Sequence, residues 1–142
     1  MICEGAFPLM ETDEMNYMIL SQAARALRSP GKFIFTTLNG LFPLFHSVKD
    51  FINGNLVEGA FKSNTFDLMT FREVSQYEMT DDNGNKKTLQ CNERYYVPSE
   101  ITWLLHSLVF KVINICGCKT GNWSREVPLT TEDYEMLIIA EK

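Results

Sequence analysis

Four cysteines and two histidines are the first residues to test for chemistry: Cys3, Cys91, Cys116, Cys118, His46 and His106. Cys116 and Cys118 stand as C-G-C, which is not the C-x2-C spacing of zinc knuckles. A metal site would need His46 or His106 brought in by folding, and none is expected. A thiolate with a histidine base can be drawn from Cys91 or Cys118 and His46 or His106, but no local signature fixes that pairing. The plainer expectation is reduced thiols in the strands and turns of a cytoplasmic protein.

The bulk composition narrows the classes. The chain has 142 residues, 45% hydrophobic and 22% charged, which suits one domain with its own core. A net charge of −5 disfavours nucleic acid as the main partner. No apolar run reaches the roughly 18 residues of a membrane helix, and the start lacks a basic and apolar signal segment.

Any chemistry has to be positioned by the following elements. "MICEGAF" reads as the end of a buried strand running into a small-residue turn. A helix capped by Asp13 follows, with Leu20, Ala23, Ala24 and Leu27 as its apolar stripe and Pro30-Gly31 as its stop. "KFIFTTL", Lys32 to Leu38, reads as a strand covered on both faces. Strand, helix and strand with short joins predict a right-handed parallel unit. Asn39 to Asn64 is irregular and rich in Phe and Gly. "FREVSQYEMT" and "KKTLQCNERYY" predict a β-hairpin about Asn83-Gly84, an insertion over about residues 66–96. Pro98 opens a helix striped by Ile101, Leu104, Leu105 and Leu108. His106 beside that stripe is expected to be partly buried. "FKVINICG" and "YEMLIIAEK" are then two strands, antiparallel if they are neighbours.

Four pieces in this order resemble the C-terminal half of class I S-adenosylmethionine-dependent methyltransferases. "ICEGAF" is similar to the end of that fold's fourth strand, and "AARALRSPGKFIFTTLN" to its helix, Pro-Gly turn and fifth strand. "ERYYVPSEITWLLHSLVFKVINICG" resembles the aromatic pair, helix and sixth strand, and "DYEMLIIAEK" the closing seventh strand. The resemblance implies an α/β fold, a partial Rossmann-like methyltransferase sheet with an antiparallel last strand and the hairpin insertion. It departs from the family in three places. Pro30 is shifted by one position, Val97 stands where a capping Thr is frequent, and Val109 stands where Gly usually precedes Phe. The family's Gly-rich cofactor turn has no counterpart, because no G-x-G follows any strand.

The resemblance also implies roles. Cys3, Gly5 and Ala6 correspond to residues beside the cofactor, S-adenosylmethionine in the intact enzyme, and Glu4 to a general base or a hold on the nucleophile. Phe7, Phe42, Phe45 and His46 then wall a substrate pocket, and Arg94, Tyr95 and Tyr96 close its other side. The implied function is methyl transfer to an O, N or C nucleophile of a small molecule, by a chain inactive on its own. The alternative is a non-catalytic or self-associating module that exposes a sheet edge, with a homo-oligomer or a complementing N-terminal half as partner.

Overall fold

The computed structural model describes residues 1–2, 7–46, 61–118 and 124–142, with only the backbone of 61–64. Helix α1, Asp13–Ala26, begins at Thr12, whose hydroxyl accepts the Met15 N–H at 3.2 Å. The cap is therefore Thr12, one residue earlier than expected. Asp13 lies inside the first turn, and its carboxyl reaches Arg72 at 2.5 Å. At the other end the Lys142 ammonium donates to the carbonyls of Ala24 and Leu27, at 2.5 and 3.0 Å. A cation thus meets the negative end of the helix dipole.

Strand β1, Lys32–Leu38, follows, then a one-turn helix α2, Leu41–Phe45. Strands β2 (Phe61–Asp67), β3 (Arg72–Thr80) and β4 (Lys86–Arg94) form a separate antiparallel meander in the order β2-β3-β4. The pair flanking Asn83-Gly84 thus gains a third strand, and part of the stretch read as irregular is extended backbone. The turn is held by Asp81, whose carboxyl accepts the N–H groups of Asn83 and Asn85, while Gly84 takes φ 82°.

Helix α3, Pro98–Ser107, has Val97 as its cap and no side-chain hydrogen bond there. Strands β5 (Lys111–Cys118) and β6 (Glu135–Glu141) complete the main sheet, in the order β1-β6-β5 with both pairings antiparallel. On the far edge of β1, Ile2 pairs in parallel, donating to Ile34 O and accepting from Thr36 N, each at 3.0 Å. Strand β6 is central, and its run Met136–Ala140 is buried on both faces, as a continuous apolar strand requires. Helices α1 and α3 cover one face, where Leu20, Ala24, Ile101 and Leu105 pack on Phe33, Phe35 and Ile138. His106 is exposed on α3, not partly buried, because it lies beyond the stripe that faces the sheet.

The end of α3 explains one departure seen in the sequence. Val109 N–H donates to His106 O and Phe110 N–H to Leu105 O, the paired bonds of a Schellman motif. That motif places Val109 at φ 63°, a left-handed conformation that a β-branched residue adopts only under strain. Its side chain is 74% exposed, so no packing depends on it. Val109→Gly is therefore expected to stabilise the fold by about 1 kcal/mol, read as a higher midpoint in urea at unchanged slope.

Candidate functional site

The extended segment after β4 carries Arg94, Tyr95 and Tyr96. Alternation along it sends successive side chains to opposite sides. This splits the predicted pocket residues into two groups. Tyr96 and Phe7 stack at 5.3 Å inside the helical core, and neither leaves appreciable surface for a ligand. Arg94, 8% exposed, lies over the Tyr96 ring at 4.6 Å. Its guanidinium donates to Glu100 at 2.5 Å, to the Tyr95 carbonyl, and to Asp13 at 3.4 Å. Burial raises the Glu100 carboxyl above its ordinary range, with Arg94 pulling the other way. Burial also pushes the Tyr96 phenol up to about 12. This group joins the starts of α1 and α3 and acts as scaffold.

The second group surrounds Tyr95, at the carboxyl end of β1. Tyr95 and Leu38 form a small apolar cluster with Phe42, Phe66 and Phe71. The Tyr95 hydroxyl donates to Glu73 at 2.7 Å and lies 2.9 Å from that of Tyr134. A phenol has one proton, so Tyr134 donates to Tyr95, giving the chain Tyr134–Tyr95–Glu73. His46 stacks on Phe42 at 4.1 Å, and Phe42 meets Tyr134 edge-on at 5.6 Å. The Nδ1 of His46 donates to the Phe42 carbonyl at 2.7 Å, and its Nε2 faces Glu132 at 3.3 Å. Phe45 points away and is 69% exposed.

Two acids complete this cluster. Glu73 stands directly opposite Glu93 in the β3–β4 register. Burial, then Glu73 and Glu135, push the Glu93 carboxyl up to about 7. Burial, with the neighbouring acids, also raises Tyr95 and Tyr134 well above the ordinary phenol range. Asn39 fixes the loop behind them. It is fully buried and donates to Asp133 O at 2.7 Å and Thr130 O at 3.1 Å. Its N–H donates to Tyr134 O at 2.9 Å. Phe71, the turn residue before β3, takes φ 54°, a strained conformation beside the cluster. The arrangement places the buried Tyr95 and Glu73, the half-buried Glu93 and the partly exposed Tyr134 near the stacked rings of Phe42 and His46.

No family model matches the chain, and no curated protein matches it. Solved structures do match. The chain aligns over 97% of its length with the CcbJ methyltransferase from Streptomyces caelestis, at TM-score 0.69 and 11% identity, covering 57% of that chain. It aligns over 98% with an S-adenosylmethionine-dependent methyltransferase from Clostridium acetobutylicum ATCC 824, at TM-score 0.60 and 11% identity, covering 55% of that chain. The fold is methyltransferase-like. The chain spans just over half the length of either of these two proteins.

At three of the four described glycines the missing side chain leaves no room for a ligand. A glycine serves a ligand where its missing side chain leaves room for close approach. At Gly31 that space is filled by Arg28 O, at Gly40 by Tyr96 and Val97, and at Gly117 by the Asp133 carboxyl. Gly84 sits in the exposed β3–β4 turn. Cys3, Glu4, Gly5 and Ala6 lie outside the described residues, so their expected roles rest on the sequence. Among the described residues no group of three His, Cys, Asp or Glu side chains has metal-site geometry. Cys91 and Cys116 are free thiols. No described helix is long and apolar enough to cross a membrane.

Glu73, Glu93 and Tyr134 were not singled out from the sequence. The signal for the acid pair was present, because Glu73 and Glu93 lie equally far from Asn83 at the turn. Two predictions follow from the two groups. Arg94→Ala strands Glu100 and uncovers Tyr96, and should cost about 3 kcal/mol in urea denaturation. For Glu93 the raised folded pKa means its contribution is full below its ordinary 4.5 and is lost as pH rises through about 7. Glu93→Gln should therefore be more stable than the parent at pH 8 by about 1–2 kcal/mol. The gap should close toward pH 5 in thermal melts.

Proposed function

We propose that this chain forms the C-terminal part of an S-adenosylmethionine-dependent methyltransferase, from the strand holding Ile2 to β6. In the intact enzyme a methyl group passes to an O, N or C nucleophile of a small molecule, and this chain alone is inactive. One observation carries the reading. β6 lies antiparallel between β1 and β5 while Ile2 pairs in parallel beyond β1, and this arrangement aligns over 97% of the chain with part of a methyltransferase.

On this reading Phe42, His46 and Tyr95, joined by Tyr134 and Glu73, wall the substrate at the carboxyl end of β1, where open α/β sheets bind ligands. Phe45 lies at the rim. Phe7, Arg94 and Tyr96 buttress that wall from the core side. Glu4 holds or deprotonates the nucleophile, and Cys3, Gly5 and Ala6 line the approach to the cofactor. When bound, S-adenosylmethionine supplies the electrophilic methyl group. The residues of this chain contribute alignment, exclusion of water and placement of the acceptor's proton. The acidic balance and the lack of a described spanning helix fit a small-molecule enzyme of the cytoplasm.

Calorimetric titration of S-adenosylmethionine into the purified chain tests this directly. The expected result is no saturable heat, because the described part lacks a glycine cradle. Micromolar binding would put a working cofactor site within this chain and overturn its inactivity. A longer chain that adds a Gly-rich N-terminal half should bind, and its failure to do so would overturn the methyltransferase reading.

A further inference from the structure

Strands β3 and β4 pair directly, so alternate residues along them share one face of the meander. On the face that carries the acid pair, Glu73, Ser75 and Tyr77 stand opposite Glu93, Cys91 and Leu89. Met79 and Lys87 follow, and Lys87 is held by Asp81 of the turn at 3.3 Å. The face thus runs from two carboxyls at the Tyr95 end to an apolar stretch toward the turn. There Tyr77, Glu78, Met79, Leu89 and Cys91 line an open groove of about 270 Å³, in which Met79 and Leu89 are exposed.

Ser75 lies between these two ends, and its chemistry is unsatisfied. It is fully buried, and its hydroxyl has no hydrogen-bond partner among the described residues. The Tyr77 phenol feels that hydroxyl without forming a hydrogen bond to it. A buried hydroxyl in this state is unfavourable, and a ligand that donates to it removes the penalty. The described charges that act on Glu93 are of one sign, from Glu73 on β3 and Glu135 on β6. The other titratable groups it influences are Tyr77, Cys91 and Tyr134, while Tyr95 donates its proton to Glu73. Each of these is neutral or negative, so none of them neutralises Glu93.

We infer that the small molecule bound here is an amine, held as its ammonium ion by Glu73, Glu93 and Ser75, with an apolar arm lying over Cys91 and Leu89. A primary ammonium presents three N–H donors, and these residues set two carboxyls and a hydroxyl on one face to accept them. Cys91 and Leu89 lie two and four residues along β4 from Glu93, so the arm covers about 7–14 Å. This deepens the reading of the Tyr95 cluster as a substrate wall and rests on it. The ammonium is an anchor and need not be the atom that is methylated.

Three probes sharing a phenylbutyl arm separate head from arm: phenylbutylamine, phenylbutanol and phenylbutyrate. Titrated calorimetrically into the purified chain at pH 8, the amine should bind at least about tenfold more tightly than the alcohol, with the carboxylate weakest. Binding displaces the proton of Glu93, whose carboxyl is pushed up to about 7. Amine affinity should therefore fall about tenfold from pH 8 to pH 6 while that of the alcohol stays level. Glu93→Gln should cut the amine's advantage to about twofold and remove its pH dependence. Leu89→Ser, at an exposed position where circular dichroism can verify the fold, should weaken amine and alcohol alike. Binding of none of the probes at millimolar concentration overturns the inference. An amine that binds no better than the alcohol, or that keeps its full advantage in Glu93→Gln, overturns it as well. Either failure leaves the methyltransferase reading standing, because cofactor binding to the longer chain decides that separately.

Discussion

Three consecutive residues, Arg94 to Tyr96, hold the two halves of this structure together. Their backbone N–H groups donate in turn to Pro8 O, Phe71 O and Leu38 O, so one extended segment ties the entry to α1, the meander and the end of β1. The Tyr96 carbonyl then accepts the Gly40 N–H at 2.9 Å, where an added Cβ would crowd Tyr96 itself. Because the segment is extended, Tyr95 and Tyr96 must separate. One serves the polar cluster and the other the helical core.

The two clusters manage buried charge differently. Around Tyr96 a guanidinium meets two carboxylates and an aromatic face, so charge is balanced within a few ångströms. Around Tyr95, Glu93 stands opposite Glu73, and burial, then Glu73 and Glu135, make Glu93 hold its proton more tightly. A like-charge pair opposite one another weakens a sheet. The same cluster holds Phe71 at φ 54° and lies by the stacked rings of Phe42 and His46.

Helix α1 shows how one element serves several demands at once. Its inner face packs on the sheet, its first turn feeds Asp13 to two arginines, and its last turn is capped by the final residue of the chain. Met15 and Met18 are exposed on its outer side.

The sequence by itself determined the elements and their order. Lys32 to Leu38 is a strand because β-branched and aromatic residues run without a break, and α3 opens at Pro98 because proline suits a first turn. The strain at Val109 and the missing cap hydroxyl at Val97 were also legible, since they depend on local backbone alone. Tertiary structure decided the rest. The third meander strand needed a partner to become visible, because a lone extended segment has no local signature. The split of Arg94, Tyr95 and Tyr96 between two clusters, and the meeting of Glu73 with Tyr134 through Tyr95, join residues far apart in the chain. Those contacts follow from how two sheets are placed against each other, and local propensity carries no information about that distance.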